Sequence, residues 1–335
     1  MLGLDQKTAQ VTWTVLVILL AVELAWLARG AILILVIALL LAYLISPAVE
    51  FAQRWLPKRW PRGAVVALLF STIVAAAGLV LFFVFSRIVQ EAAELAARLP
   101  ALLKDGGTLL EAPLPPLLEP YREEIREFVT THALGLVPTL GKIGTGLVSH
   151  LGHVLYIILV PILSFLFLLE AERVRETIAG LFPQQRLLVG GVVEDVHRLL
   201  GAYMRAVFTL ALATFISYTV YFEITGVPYA LLLAGAAGVL EFIPVVGPLA
   251  GMVLGVGVAL FSGYSYWGWM IIFFLVYRLF QDYVLQPKLM SAGIELHPIL
   301  VLFGVLAGEM IAGIPGLLLS VPLMALFPII YRHLR

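Results

Sequence analysis

The sequence predicts an all-α polytopic membrane protein, with about six full transmembrane helices, two Gly/Pro-broken helical hairpins forming an inverted repeat, and a small helical extramembrane segment. Composition is the first ground. Of 335 residues, 62% are hydrophobic and 13% charged, where a soluble domain averages roughly 45–50% apolar and about 25% charged. Mean hydropathy is +1.05. The apolar excess needs lipid as its solvent, which excludes a soluble enzyme, a disordered chain and a secreted disulfide scaffold. The second ground is run length, because apolar stretches recur near the roughly 20 residues that span a bilayer. The third is that two stretches are interrupted by glycine and proline, which end helices and turn the chain. Charge is balanced, 21 basic residues against 21 acidic, so no nucleic-acid partner is expected. Cysteine is absent, which excludes disulfides and thiolate metal sites.

Four parts follow in chain order. Residues 1–85 form an N-terminal membrane part with spans at 11–28, 31–46 and 63–85. The first has Asp5 and Lys7 ahead of it and no small-x-small cleavage site behind it, so it is expected as a retained signal anchor. Residues 86–153 form an extramembrane amphipathic segment. Ile88, Ala92, Leu95 and Leu99 recur at helical spacing over 87–99, with Glu91 and Glu94 between them. Pro113, Pro115, Pro116 and Pro120 then separate a second helix at 121–132, whose charged face reads as solvated or as a cap over the mouth of a pathway. Residues 154–205 supply a fourth span, 154–169, and a cytoplasmic helix. Residues 206–335 form the transport core: a span at 206–224, a hairpin at 227–261, a span at 266–280 and a hairpin at 298–330.

The hairpins are the most informative feature. Pro244, Gly247 and Pro248 break the first, and Gly313, Pro315 and Gly316 break the second. The arms are about 14–17 residues, short for a crossing at roughly 1.5 Å per residue, so each hairpin is expected to dip in and return. Each follows a span, opens on proline (Pro228, Pro298) and places a carboxylate before its turn (Glu241, Glu309). The two units enter from opposite sides. Interrupted segments in matching halves point to the binding site of a secondary transporter.

Orientation follows from the basic residues. Arg54, Lys58, Arg59 and Arg62 mark the cytoplasmic side, with Trp55 and Trp60 at headgroup level. Both termini, the 170–205 stretch and Lys288 then lie inside, and 86–153 lies outside.

Ionisable groups inside a bilayer cost about 2.5–3.5 kcal/mol each on insertion scales, so each needs a reason. Glu241 has no other charge near it in sequence and is the first candidate for a proton or cation site. A half-desolvated carboxylate there suits proton binding and release; the alternative is a carboxylate that caps the broken helix or faces water at the hairpin tip. Arg278, Gln281 and Asp282 form a second cluster. Arg278 and Asp282 are four apart and share a helix face, as a charge relay or solute contact, or as a snorkelling interfacial pair. Glu309, among Val305, Leu306, Met310 and Ile311, is costly unless it lines a polar cavity. His150 and His153 lack a third ligand, so no metal is expected. Gly141-Lys142-Ile143 lacks the hydroxyl residue of a phosphate loop, and no enzyme motif or cofactor site is found.

The blocks Gly226-Val227-Pro228-Tyr229 through Leu233, Glu241-Phe242-Ile243-Pro244-Val245-Val246-Gly247-Pro248, Asp282 through Leu289, and His297-Pro298 through Gly313-Ile314-Pro315-Gly316 to Pro322 resemble the autoinducer-2 exporter family. Leu41 through Pro47 resembles the end of that family's second span. The resemblance covers essentially the whole chain and is weakest over 87–150. It implies a homo-oligomer, a pentamer, in the cytoplasmic membrane of a bacterium or archaeon. It also implies export of autoinducer-2 or exchange of sodium or lithium for protons. The leading expectation is a proton-coupled exporter of a small polar solute, whose hairpins move against the first spans. A monovalent-cation/proton antiporter is the alternative, and a non-transporting membrane scaffold the second.

Overall fold

The computed structural model describes residues 6–55, 61–104, 120, 123, 154–244, 246–289 and 297–335. Every regular element among them is helical, as the composition predicts. Helices α1 (Gln6–Leu27), α2 (Arg29–Trp55) and α3 (Arg62–Lys104) are followed by α4 (Val154–Gly180) and α5 (Arg186–Thr225). The first hairpin is α6 (Ala230–Leu240) and α7 (Val246–Phe261). Next comes α8 (Trp267–Phe280), which passes through a π-helical turn, Gln281–Leu285, into the short α9 (Gln286–Leu289). The second hairpin is α10 (Pro298–Ala312) and α11 (Ile314–Leu334). The proline block, the helix expected at 121–132, Gly141-Lys142 and the His150–His153 pair lie outside the described residues.

Among the described residues, five helices are long and apolar enough to cross a membrane: Arg29–Phe51, Gly63–Arg98, Pro183–Thr225, Trp267–Leu289 and Gly316–His333. Four answer to expected spans. The first expected span is helical, with an apolar run of Gln10–Leu24. The fourth meets its charges early: α4 leaves helical geometry at Glu170 (φ −108°, ψ 16°), where the sequence places the end of the span. The last of the five was expected as a short arm. At 21 residues α11 is long enough to cross, because Pro322 and Pro328 sit within a helix that continues through them.

Two helices are longer than expected. The third span and the helix at 87–99 are one rod, because residues 90–97 are good helix formers with no glycine or proline among them. At 43 residues and about 1.5 Å each, α3 is about 65 Å long, twice the roughly 30 Å hydrocarbon core. Likewise α5 continues unbroken across residue 205 for 40 residues.

Two apolar cores result among the described residues. One joins Ile45 and Val49 of α2, Val66 and Phe70 of α3, and Phe165 and Leu168 of α4. The other joins Ala92 and Leu95 of α3 to the first hairpin, to Tyr218 and Phe222 of α5, and to Met270, Phe274 and Tyr277 of α8. Between them, residues 75–83 of α3 are exposed. An aromatic ladder sets the direction of α5 and α8. Tyr218 meets Tyr277 and Phe274, and Phe222 meets Phe274, so the two helices run antiparallel. The second span-plus-hairpin unit thus starts in the opposite direction to the first.

Candidate functional site

The first hairpin must fold back tightly, and its turn residues are chosen for that. Gly247 lies so close to the end of α6 that a Cβ would stand 1.7 Å from the Leu240 carbonyl oxygen. Backbone bonds from Ile243 N–H to Leu240 O (2.9 Å) and from Gly247 N–H to Ile243 O (3.0 Å) carry the chain round Pro244. In the second hairpin Gly313 turns with φ +61°, and Gly308 and Gly316 press backbone to backbone. Pro248 lies in the first turn of α7 and Pro315 in the first turn of α11.

The first turn leaves Glu241 at the end of α6, half-buried beside α5 and α8. Its carboxylate has a donor on each oxygen. Thr214 Oγ1 donates to Oε1 at 3.0 Å, and Gln281 Nε2 donates to Oε2 at 2.9 Å. Hydrogen bonds to a charged group contribute about 1.5–3 kcal/mol each, enough for two to offset the insertion cost of about 2.5–3.5 kcal/mol. Gln281 is 1% exposed and Thr214 1%, so both donors are fixed by packing before any proton or ion arrives.

Of the expected cluster, Gln281 bonds this carboxylate directly, whereas Arg278 and Asp282 bond each other. Arg278 Nε donates to Asp282 Oδ2 at 2.9 Å, and Gln286 Nε2 donates to Asp282 Oδ1 at 3.0 Å. The π-helical turn begins at Gln281. Such widened turns are frequent at functional sites. Here one turn directs Gln281 to the hairpin tip and Asp282 back to Arg278. The Arg278 and Asp282 side chains are each 38% exposed. The site thus has a sealed side at Thr214 and Gln281 and an open side at the ion pair.

Glu309 is not part of this cluster. It lies on an exposed face of α10, beside Leu306, Met310 and Ile311, which are also exposed.

Two site residues are missed by the sequence reading: Thr214 and Tyr277, whose hydroxyls are 3.1 Å apart. Uncharged hydroxyls are common in membrane helices and raise no alarm singly. The available signal was the spacing of Thr214, Ser217, Tyr218 and Tyr221, which puts a polar seam on one face of an otherwise apolar span. Among the described residues no three His, Asp or Glu side chains gather as a metal site requires.

Comparison with known proteins agrees with this architecture. A family model described as AI-2E family transporter matches residues 14–335. Three relatives match over most of their length, and all are provisionally named transport proteins or permeases. YrrI of Bacillus subtilis strain 168 is 24% identical, covering 92% of this chain and 88% of its own. A Mycobacterium tuberculosis protein is 28% identical over 97% of this chain and 89% of its own. PerM of Escherichia coli K12 is 26% identical over 87% of this chain and 84% of its own.

Proposed function

The chain belongs to the AI-2E family of transporters, a multi-pass membrane family and not one of enzymes, and from that premise we propose that it exports a small polar solute in exchange for protons bound at Glu241. The observation that carries this reading is a carboxylate held at the tip of a broken membrane hairpin by Thr214 and Gln281. Glu241 takes the proton. Arg278 and Asp282, half-exposed beside it, meet the solute, with Arg278 balancing charge or receiving an anionic group. Glu309 serves the same traffic from the second hairpin. The first hairpin moves with α5 and α8, whose core it shares, against the core of α2 and α4. The chain works in the cytoplasmic membrane of a bacterium or archaeon with both termini inside, in line with its basic loops. It works as a homo-oligomer, a pentamer by the family resemblance. A covering neighbour would also account for an exposed carboxylate at Glu309 on an apolar face.

The second reading is exchange of sodium or lithium for protons. It is favoured by the oxygens that meet at Glu241, its own carboxylate and the Thr214 hydroxyl. The test uses proteoliposomes with a pH dye inside. In the exporter, proton flux follows an outward solute gradient, is lost in Glu241→Gln, and does not respond to sodium or lithium alone. Cation-driven flux lost in the same variant would put the antiporter first. Flux indifferent to Glu241→Gln would remove that carboxylate from the mechanism.

A further inference from the structure

We infer that Tyr277 and Thr214 form a directed hydroxyl relay that delivers protons to Glu241, with Ser217 as its entry. The inference rests on the reading of Glu241 as a proton site and adds the route by which the proton comes.

The direction follows from counting donors. An ionised carboxylate only accepts, and a hydroxyl carries a single proton to donate. Thr214 spends its proton on Glu241 Oε1. Its 3.1 Å bond with Tyr277 is then one that Tyr277 Oη donates and Thr214 accepts. With its proton committed to Thr214, Tyr277 Oη is left as an acceptor on its far side, where the Ser217 hydroxyl, one turn along α5 from Thr214, can supply the next proton. The two bonded hydroxyls therefore point one way, from Tyr277 to the carboxylate. A proton arriving at Tyr277 by way of Ser217 moves the chain by one step. Each hydroxyl gives its proton forward and takes one from behind, and one proton appears on Glu241 with every hydroxyl restored. Bonds in such chains polarise one another, which strengthens them together.

The surroundings fit a conduit. Thr214 and Tyr277 are 1% and 6% exposed. Tyr277 is wedged among Tyr218, Phe273 and Phe280, which exclude water from its sides. The hydroxyls of α5 at 214, 217 and 221 recur at spacings of three and four, on one face. Tyr221 Oη, one turn further along α5, is buried without a protein partner. Groups that face Glu241 are Thr214 and Tyr218 from α5, and Tyr277, Arg278, Gln281 and Asp282 from α8 and the π-helical turn. Helices α6 and α7 carry no charge. The Arg278–Asp282 pair lies on the open side, so Glu241 stands between a solvated approach and a dry one.

The experiment is pH-jump infrared difference spectroscopy on the full chain in lipid. The carboxylic-acid C=O band of Glu241 is identified by its loss in Glu241→Gln. In Thr214→Val and Tyr277→Phe the band is expected to rise at least about tenfold more slowly than in the native chain. Thr214→Ser is expected to restore the rate. Tyr277→Phe keeps the ring and its packing, so its effect reports the hydroxyl. A band that rises at the native rate in both variants would overturn the relay and leave Glu241 as the proton site. A native chain with no Glu241 band at any pH would overturn both readings.

Discussion

Arg278 and Asp282 bond at 2.9 Å with 38% of each side chain exposed. A pair that open contributes at most about 1 kcal/mol to stability, so stability is a poor reason to keep two charges near a bilayer. If Arg278 meets the solute, the double exchange Arg278→Asp with Asp282→Arg keeps the pair but moves the cation. Assembly is expected to survive, and solute export to fall below about a tenth of native, measured by uptake into inverted vesicles. Full recovery in the double exchange would make the pair a depth anchor only. These two residues, with Gln281 and Glu241, were legible in the sequence because each sets a polar or charged group in an apolar run. Thr214 and Tyr277 were not, since their role comes from meeting across 63 positions of chain.

At the scale of elements, the first hairpin is held from outside itself. Tyr229 precedes α6 in a left-handed conformation (φ 59°) and offers no side-chain cap. The first N–H groups of a helix need partners, and Glu91 supplies one. Its Oε2 on α3 accepts the Leu232 N–H at 2.8 Å, and a negative charge there also suits the helix dipole. Loss of such a cap costs about 1 kcal/mol, so Glu91→Ala is expected to raise amide exchange at Leu231 and Leu232 about fivefold. Exchange there unchanged from native would remove Glu91 as the cap. The sequence shows Glu91 only as a polar residue on an amphipathic helix. Its partner lies 141 residues away, and the continuity of α3 that brings it there is masked in the sequence by the change from an apolar to an amphipathic pattern after residue 85. The hairpins themselves were legible, because Gly247 and Gly316 occur where backbones must touch.

For the whole molecule, one short stretch of α5 holds three other helices. Glu194 accepts from Arg175 of α4 at 2.8 Å, and His197 bonds the Tyr43 hydroxyl of α2 at 2.9 Å. Between them Asp195 accepts from Arg332 of α11 and from Arg198, with His333 Nε2 at 3.6 Å. The Asp195 side chain is 12% exposed, though both arginines are largely solvated. Asp195→Ala is therefore expected to cost about 1 kcal/mol and to loosen α11 first. Limited proteolysis in detergent is expected to clip the C-terminal helix sooner, while the α2 and α4 contacts persist. Equal protection in the variant would show that packing alone seats α11. None of this node is visible in the sequence, where residues 194, 195 and 197 look like an ordinary solvated turn of helix.

The long third helix acts at the same scale. Its two ends are gripped by different cores, and its middle touches neither. A rod of fixed length in a sheet of fluid thickness has one easy adjustment, which is its tilt. Because Glu91 rides on its far end and bonds Leu232, a change in bilayer thickness that re-angles α3 is expected to displace the first hairpin, which would make the lipid a mechanical input to the site.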